Sequence, residues 1–434
     1  MFLHIIVRIV IIILLVLNVF IPLKAQDINK EDSLRMRQEQ ERYLRLMRTN
    51  PDSMRILQVQ WAKERAALRL EETRTLPRDR KSLNLSDLDL EKLPDHLKEF
   101  THLERLELQG NRLKKIPKKL LAKVTYLDLS DNALKARKFK FKKNKSITYL
   151  RFEKNQLNRL PGSIKKLKAL KEISLDENHF STIPSRLNKM DKLTAVGLSI
   201  NPINPNQIPS RTNKHIKTVR MNKCVLKKFP LVLLEMPQLE SIQVNRNSLS
   251  SLPDDIDKLK NLSQMTAYIN EIESLPKGFY NLKRLEIADL YFNKIKKVDT
   301  EIKNLQNLEI LYLSNNELYS IPEELGELLN LEMLYLHHNK LSYLPTSLAE
   351  LKKLKTLHIN HNLFQEFPVQ ILSLKALEDL DISNNEIDMV PYSITDLSNL
   401  RLLFIQKNLF DEDRDDEIVE LINYYSDKEV KFIY

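Results

Sequence analysis

Four of the nine histidines lie close together in the sequence, and imidazole is a common ligand of zinc and nickel. They are His337, His338, His358 and His361. No H-E-x-x-H motif is present, and no carboxylate or thiol completes a ligand set at the spacing of known metal sites. We therefore expect no metal and no other cofactor. Imidazoles can also make ligand binding depend on pH. The affinity for the ligand would then change between about pH 5.5 and 7.5.

Other catalytic chemistry finds little support. Cys224 is the one cysteine, which excludes disulfide frameworks and C-x-x-C zinc sites. Of the five glycines, the closest two, Gly162 and Gly197, are too far apart for a glycine-rich phosphate loop. The displayed residues supply no set of nucleophile, base and oxyanion donors, so we do not expect an enzyme. A hydrophobic content of 42% with 29% charged residues is sufficient for a folded core.

A repeated phrase organises most of the chain. It reads L-x-x-L-x-L-x-x-N-x-L, as in the segment from Leu308 to Leu318. The asparagine position recurs every 23 residues, except for one step of 21 between Asn111 and Asn132. The residues at this position are Leu88, Asn111, Asn132, Asn155, Asn178, Asn201, Cys224, Asn247, Asn270, Asn293, Asn316, Asn339, Asn362, Asn385 and Asn408.

The phrase resembles the 23-residue class of the leucine-rich repeat family, from about Lys81 to Asp411. The resemblance implies protein-protein interaction as the function. Independently, the L-x-L step has the two-residue period of a strand. A single coil cannot bury its leucines alone, so the coils must stack. We predict an α/β solenoid of about 15 coils with a curved, concave parallel sheet, in which Cys224 replaces an asparagine that pairs backbone groups.

Three coils depart from the pattern. Leu88 replaces the asparagine of the first coil, as suits a terminal repeat. The third coil is two residues short and lacks the Leu-Pro step, reading Leu134-Lys-Ala-Arg-Lys-Phe-Lys-Phe-Lys-Lys-Asn144. The sixth carries prolines between Asn201 and Pro209. We expect an irregular outer side at the third and sixth coils, with the strands unaffected.

Residues 1–25 have the pattern of a secretory signal peptide. Arg8 precedes an apolar run from Ile9 to Leu23, and a small residue, Ala25, ends the segment. The alternative is an uncleaved anchor in the inner membrane, but the run is shorter than the roughly 20 residues of a spanning helix. We predict an exported protein, in the periplasm, in the outer envelope or secreted. Exported repeats so poor in cysteine suggest a bacterium.

The segments on either side of the repeats are predicted to form helical caps. Residues 26–80 carry two helical stretches divided at Asn50-Pro51. The second has Met54, Leu57, Trp61 and Leu68 on one face, and we expect Trp61 to pack on Leu83 and Leu85. An alternative is that this helix docks a partner or an inner-membrane protein. Residues 412–434 are predicted as a polar, helical closing cap that follows the repeats at 81–411.

The concave face is predicted to hold the ligand site. Strands about 4.8 Å apart would place Tyr312, Tyr335 and His358 side by side over roughly 10 Å. Exposed aromatic residues beside carboxylates are typical of protein or peptide interfaces. Alternatively, these tyrosines reflect only the preference of tyrosine for β-strands and mark no binding site. The predicted ligand-binding residues are Tyr268, Asp289, Tyr291, Phe292, Tyr312, Tyr335, His337, His358, Asp381 and Phe404.

Charge divides the chain into a basic and an acidic half. Residues 81–240 hold 34 basic against 16 acidic side chains, and residues 241–434 hold 20 against 32. An anionic glycan or lipid surface would be attracted to the basic half, whereas nucleic acid is not expected. This supports an alternative function as a surface adhesin or a glycan- or lipid-binding protein. The predicted patch is Lys135, Arg137, Lys138, Lys140, Lys142, Lys143 and Lys145.

Overall fold

The structure is a computed structural model that describes residues 51–434 apart from 118, 133, 135, 137–139, 208–211, 411–415, 427 and 429. The predicted signal peptide at 1–25 and the first helical stretch of the N-terminal cap lie outside the described residues. The chain divides into two compact units, Met1–Leu76 and Pro77–Tyr434.

The described part of the first unit is helix α1, Pro51–Glu72. It begins at a proline, whose missing N–H costs nothing in the first helical turn. It ends in tight turns, in which the N–H of Thr73 bonds the carbonyl of Leu70 at 3.2 Å. The side chains of Met54, Leu57 and Trp61 lie outside the described residues, so the packing of Trp61 stays a prediction. Within the described chain, α1 and the other helices lack the length and apolar character needed to cross a membrane.

The second unit is built on one parallel sheet of sixteen strands, each hydrogen-bonded to its neighbours in sequence. The middle residue of each of the first fifteen strands is buried. The strands, β1 to β16 in chain order, are Ser82–Asn84, Arg105–Glu107, Tyr126–Asp128, Tyr149–Arg151, Glu172–Ser174, Ala195–Gly197, Thr218–Arg220, Ser241–Gln243, Gln264–Thr266, Ile287–Asp289, Ile310–Tyr312, Met333–Tyr335, Thr356–His358, Asp379–Asp381, Leu402–Phe404 and Lys431–Ile433. This is the predicted leucine-rich repeat solenoid.

The strand register follows the repeat length. Leu311 on β11 pairs with Leu334 on β12, a separation of 23 residues, because each coil returns to the same height in the sheet. The separation is 21 between β2 and β3, where Arg105 pairs with Tyr126, so the short coil keeps its strand in register. It grows to 29 at the last step, where Leu402 pairs with Lys431.

The outer side of the solenoid carries short 3-10 helices. The Leu-Pro step places an extended proline before most of them, as Pro322 does before Glu323–Glu327, and the N–H of Leu325 then bonds the Pro322 carbonyl at 3.1 Å. They span Asp95–Glu99, Lys119–Leu121, Ile164–Lys166, Ser185–Lys189, Leu231–Glu235, Ile256–Lys258, Phe279–Asn281, Thr300–Asn304, Glu323–Glu327, Thr346–Glu350, Val369–Ser373 and Tyr392–Asp396.

The regularly spaced asparagines form a ladder of hydrogen bonds between coils. In Asn316, Nδ2 donates to the carbonyls of Leu290 and Leu313, both at 3.0 Å, and Oδ1 accepts from the N–H of Ile295 at 3.0 Å. The bonds therefore reach back 26 and 21 residues. Cys224 occupies the same position, as predicted, and its thiol donates to the Leu198 carbonyl. We call these fifteen positions the asparagine ladder.

The residue before each ladder position has a positive φ, and this turns the chain away from the sheet. The φ values lie between 52° at Asp131 and 63° at Gly110. Gly110 is the one glycine in this series, whereas Ile200 and Ile269 are β-branched residues that pay a steric cost in the left-handed region. The backbone N–H of the turned residue reaches the next coil, which holds the conformation in place.

The closing segment contains a helix and a strand. Helix α2, Asp416–Ser426, buries Ile418 and Leu421, in agreement with the expected helix. Strand β16 was not predicted: it pairs in parallel with β15 and extends the sheet by one strand. Tyr425 on α2 packs against Phe432 on β16, with ring centroids 5.1 Å apart.

Candidate functional site

We use the term sheet face for the surface formed by the first and third residues of each strand, which point away from the core. Tyr312, Tyr335 and His358 occupy one register position on β11, β12 and β13. The Tyr312 and Tyr335 rings stack with centroids 4.5 Å apart and planes 10° apart. His358 meets Tyr335 edge-on at 5.0 Å. These three rings, here called the aromatic row, thus form one contiguous surface, with the spacing expected from the sequence.

Two aspartates border the aromatic row. Asp289 lies in register with Tyr312, and Asp381 lies in register with His358. Burial raises the pKa of Asp289, and the N–H of Tyr291, at 3.2 Å from its Oδ1, partly offsets this. The Asp381 carboxylate accepts from both the N–H and the hydroxyl of Ser383, at 3.0 and 2.6 Å. Both carboxylates are therefore held in place beside the row.

The four clustered histidines form two groups. His337 lies beside both Tyr335 and His358, with centroid distances of 6.4 and 6.1 Å. His338 and His361 are the left-handed residues of adjacent coils, and their rings stack at 3.9 Å. Burial, followed by the nearby histidines, lowers the pKa of His337 to about 4. His337 therefore stays neutral between pH 5.5 and 7.5 and cannot supply the pH response considered from the sequence.

Asp379 is a member of this surface that the predicted site omitted. Its Oδ2 lies 3.1 Å from Nε2 of His358, without the geometry of a hydrogen bond. Several polar atoms of β12 to β15 and the residues after them are buried without a hydrogen-bond partner in the described structure, which costs free energy. They are His337 Nδ1, His358 Nε2, Asn360 Oδ1, Asp379 Oδ1 and Gln406 Oε1. Side chains alternate between the two faces of a strand, so Asp379, two residues before Asp381, could have been placed on the sheet face from the sequence.

Three predicted residues lie in the two coils before the aromatic row. Tyr268 and Tyr291 share the position two residues before the ladder asparagine. Phe292 follows in the left-handed region with φ 54°, and its ring lies 5.9 Å from that of Tyr291. Phe292 is 51% exposed, which is high for an aromatic residue. The exposed aromatic surface therefore extends from the row toward β9.

Phe404 lies at the other end, and β16 changes its surroundings. It is in register with Ile433, and the Lys431 ammonium lies 5.5 Å from its ring centroid. Lys431 and Ile433 therefore border the site, although sequence reasoning missed both. The signal was present in Val430-Lys-Phe-Ile-Tyr434, because β-branched and aromatic residues favour strands.

The described part of the predicted basic patch lies on the outer side of the solenoid. Lys135, Arg137 and Lys138 are outside the described residues. Lys140, Lys142, Lys143 and Lys145 are exposed and line a cavity of about 520 Å³. The sequence indicated the charge of this region but gave no sign of a cavity.

The described residues include possible metal ligands and the one thiol of the chain, Cys224. Among the residues placed by the structure, no three or more histidine, cysteine, aspartate or glutamate side chains are grouped so as to hold a metal ion. Cys224 is buried, and this burial raises the pKa of its thiol to about 11. A thiol with so high a pKa is a poor nucleophile, consistent with its place in the asparagine ladder.

Comparisons with known proteins agree with this architecture. Residues 300–420 match the leucine-rich repeat region family. No curated protein matches the chain. A solved leucine-rich repeat protein of Leptospira interrogans is 24% identical with a TM-score of 0.63, and the match covers 85% of this chain and 98% of that one. With its repeats, sheet and ladder in place, the chain is a leucine-rich repeat protein.

Two receptor structures share the fold. A plant peptide hormone receptor, RGFR1 in complex with RGF2, is 26% identical with a TM-score of 0.52, and the match covers 77% of this chain and 53% of the receptor. Toll, in its complex with Spatzle from Drosophila, is 22% identical with a TM-score of 0.60, over 75% of this chain and 47% of that chain. The fold is a scaffold typical of proteins that bind proteins and peptides.

Proposed function

We propose that this protein is a non-catalytic recognition scaffold that binds a protein or peptide through the sheet face of β9 to β15. The observation that carries the proposal is the aromatic row, Tyr312, Tyr335 and His358, held between Asp289 and Asp381. Rigid aromatic side chains give much contact area for little loss of conformational entropy, and they dominate the binding energy of interfaces.

Further support comes from the polar atoms beside the row. Asn360, Asp379 and Gln406 each have a buried oxygen without a hydrogen-bond partner among the described residues. Small side-chain rotations would let these oxygens accept from a ligand, which would recover the cost of leaving them unpaired. A solved receptor that is 26% identical to this chain is in complex with RGF2, which agrees with a peptide as ligand.

The test uses the protein as bait against extracts of its own cell envelope and of host cells. The test variant carries Tyr312→Ala, Tyr335→Ala and His358→Ala. The control variant carries Tyr319→Ala and Tyr343→Ala, which remove two tyrosines that are each 56% exposed and lie outside the strands. Mass spectrometry quantifies the retained proteins, and urea denaturation confirms that the variants fold.

We expect a partner to be retained by the wild-type and control baits and reduced more than tenfold on the test bait. Because apolar and aromatic contacts are weakly screened, this retention should persist at high salt. Equal retention by all three baits would contradict a site on the aromatic row. Material removed from every bait by salt alone would point to binding through the basic half instead.

We also propose that the protein acts outside the cytoplasm, because residues 1–25 have the pattern of a signal peptide. Fractionation of the source cells followed by N-terminal sequencing tests this. A mature chain that begins at Gln26 outside the cytoplasm is the expected result. An intact N-terminus in the inner-membrane fraction would favour the uncleaved anchor.

A further inference from the structure

The outer side of the solenoid contains a cavity that the proposed function does not use. It has a volume of about 520 Å³ and is lined by residues that precede β3 and β4, together with Leu167 from the next coil. Ligand pockets in proteins usually have volumes of roughly 300–1,000 Å³. The cavity is therefore large enough for a small molecule or for part of a lipid.

The short coil explains the cavity. Two residues are missing between Asn111 and β3, so the outer turn at Lys119–Leu121 is shorter than in a regular coil. The segment before β4 also lacks the Leu-Pro step, and no 3-10 helix is present in the described residues between Asn132 and β4. Less chain therefore covers the outer core between Asn111 and β3, beside the hollow.

The walls of the cavity are held by specific contacts. Asn144 Nδ2 donates to the Leu121 carbonyl at 2.7 Å, and Asn144 Oδ1 accepts from the N–H groups of Ser146 and Ile147, both at 2.8 Å. Phe141 is buried, and its ring centroid lies 5.8 Å from that of Phe152. The bond from Asn144 to Leu121 joins neighbouring coils, and the other contacts fix the segment that lines the hollow, so the cavity is a built part of the fold.

The lining combines an apolar floor with a cationic rim. Ile116, Leu121, Ala122, Phe141 and Leu167 provide the apolar surface. The rim consists of Lys119, Lys140, Lys142, Lys143 and Lys145, all exposed. Lys140 also borders a second hollow of about 440 Å³, whose lining includes Arg159, Lys166 and Arg186.

Within the described chain, several lysines elsewhere on the solenoid are neutralised by carboxylates, whereas the rim lysines are not. Lys114, Lys294 and Lys355 pair with glutamates of the preceding coil, at 3.0, 2.9 and 2.8 Å. None of the five rim lysines lies within ion-pairing distance of a carboxylate in the described residues. Five unneutralised ammonium groups around an apolar hollow favour a ligand that is both anionic and hydrophobic.

We propose that this cavity binds an anionic phospholipid, with an acyl chain on the apolar floor and the phosphate at the lysine rim. The site lies outside the strands and is independent of the aromatic row. Apolar burial provides the selectivity for a lipid over a free phosphate, and the lysines provide the selectivity for an anionic over a zwitterionic head group.

The test measures the affinity of the full chain for lysophosphatidylglycerol below its critical micelle concentration, by isothermal titration calorimetry. Lysophosphatidylcholine tests the head group, and glycerol 3-phosphate tests the phosphate without an acyl chain. Lys140→Gln with Lys143→Gln removes two rim charges. Ala122→Trp occupies the cavity from an exposed position. Lys165→Gln with Lys168→Gln removes the same charge from exposed lysines that line neither hollow.

We expect lysophosphatidylglycerol to bind at least tenfold more tightly than either comparison compound. Both Lys140→Gln with Lys143→Gln and Ala122→Trp should weaken this binding at least tenfold, whereas the Lys165 and Lys168 variant should change it less than twofold. Equal affinity for lysophosphatidylcholine, or equal affinity for glycerol 3-phosphate, would overturn the proposal. Unchanged affinity in a folded Ala122→Trp variant would also overturn it, because binding would then be electrostatic adsorption alone.

Discussion

The thiol of Cys224 lies 3.2 Å from the carbonyl oxygen of Leu198, 26 residues earlier in the chain. Asn247 reaches the Met221 carbonyl across the same separation at 2.9 Å. A cysteine therefore preserves one ladder bond, but it offers no acceptor for the preceding coil. The N–H of Ile203, which a ladder asparagine would bond, instead donates to the Asn201 carbonyl at 2.9 Å.

The variant Cys224→Asn should be more stable than the natural protein. The amide is a stronger donor to the Leu198 carbonyl than the thiol and adds an acceptor near Ile203, and we expect a gain of about 1 kcal/mol. Cys224→Val should lose about 0.5–1 kcal/mol, because it removes the thiol donor while the Leu198 carbonyl keeps its bond from Asn201 at 3.0 Å. Urea denaturation measures both. A less stable asparagine variant would mean that the sixth coil cannot accommodate the amide.

Cys224 should be unreactive in the folded protein. Burial raises the pKa of its thiol to about 11, so the thiolate that reacts with disulfide reagents is scarce at pH 8. We expect the rate of reaction with Ellman's reagent to increase at least a hundredfold in denaturing urea. Similar rates in the folded and unfolded chain would contradict the placement of this residue.

The variant Asn316→Ala should destabilise the middle of the solenoid. It removes the acceptor of the Ile295 N–H. The Leu290 and Leu313 carbonyls each lose one of two amide donors and keep the bonds from Asn293 and Asn339, both at 3.0 Å. We expect a loss of about 2 kcal/mol, because a buried unpaired N–H costs about 1–3 kcal/mol and the two carbonyls stay paired.

The matched control for Asn316 is Asn330→Ala. Asn330 is half-buried at the surface, and its Nδ2 donates to the Gln306 carbonyl at 2.8 Å. This change should cost less than about 0.5 kcal/mol, as is usual for surface positions. Hydrogen exchange of the amides in β10 to β12 locates the effect. Equal losses in the two variants would argue against a special role for the ladder.

The variant Val225→Asn should stabilise the protein. Val225 has a φ of 55° and is 79% exposed, so this β-branched residue pays a steric cost and gains little from burial. Asparagine tolerates the left-handed region, and we expect a gain of about 1 kcal/mol. Val369→Asn is the control, because Val369 is 67% exposed in a 3-10 helix and has no positive φ. If the melting temperature rises in both variants, the gain comes from a polar residue at an exposed position and not from relief of the strain at a positive φ.

Stability should fall as the pH is lowered from 6.5 toward 4, and His337 should contribute to the fall. Its pKa is about 4 in the fold against an ordinary value of 6.5, because burial disfavours the charged imidazole. Between these values the unfolded chain binds the proton and the folded chain does not, so protonation favours unfolding. The stabilisation from the neutral ring is present above pH 6.5 and is lost as the pH falls.

The variant His337→Gln isolates this contribution. After allowance for the partial exposure of the ring, the stability difference between pH 7 and pH 5 should shrink by about 1 kcal/mol. Urea denaturation at the two pH values measures the difference. Burial also lowers the pKa of His361, so the variant retains some pH dependence in the same direction. If the variant shows the same stability difference between the two pH values as the natural protein, His337 has its ordinary pKa in the folded state.

The repeat predicted the solenoid because each coil obeys the same two constraints, a strand period and a shared core. One register step, at Arg105 and Tyr126, could even be read from the 21-residue gap. Strand β16 escaped prediction because it follows a helix and has no ladder asparagine. Its position is determined by the exposed edge of β15 and by the packing of Tyr425 on Phe432, which are tertiary contacts.

The site was predictable to a similar degree. The column of Tyr312, Tyr335 and His358 followed from the period, but the ring orientations did not, because neighbouring side chains decide them. The depressed pKa of His337 depends on burial by residues of several coils. The outer cavity depends on two absent residues, and a sequence pattern cannot convey how the remaining chain closes over the gap.

The ladder bonds reach back 21 and 26 residues and go no further. Through the ladder bonds, a coil contacts only its immediate neighbours, whatever its rank in the chain. Duplicating or removing one 23-residue unit by recombination would leave every junction chemically intact and would change only the length of the solenoid. The gene can thus lengthen or shorten its product in whole coils, and new side chains on the sheet face can be acquired by copying a unit that already folds.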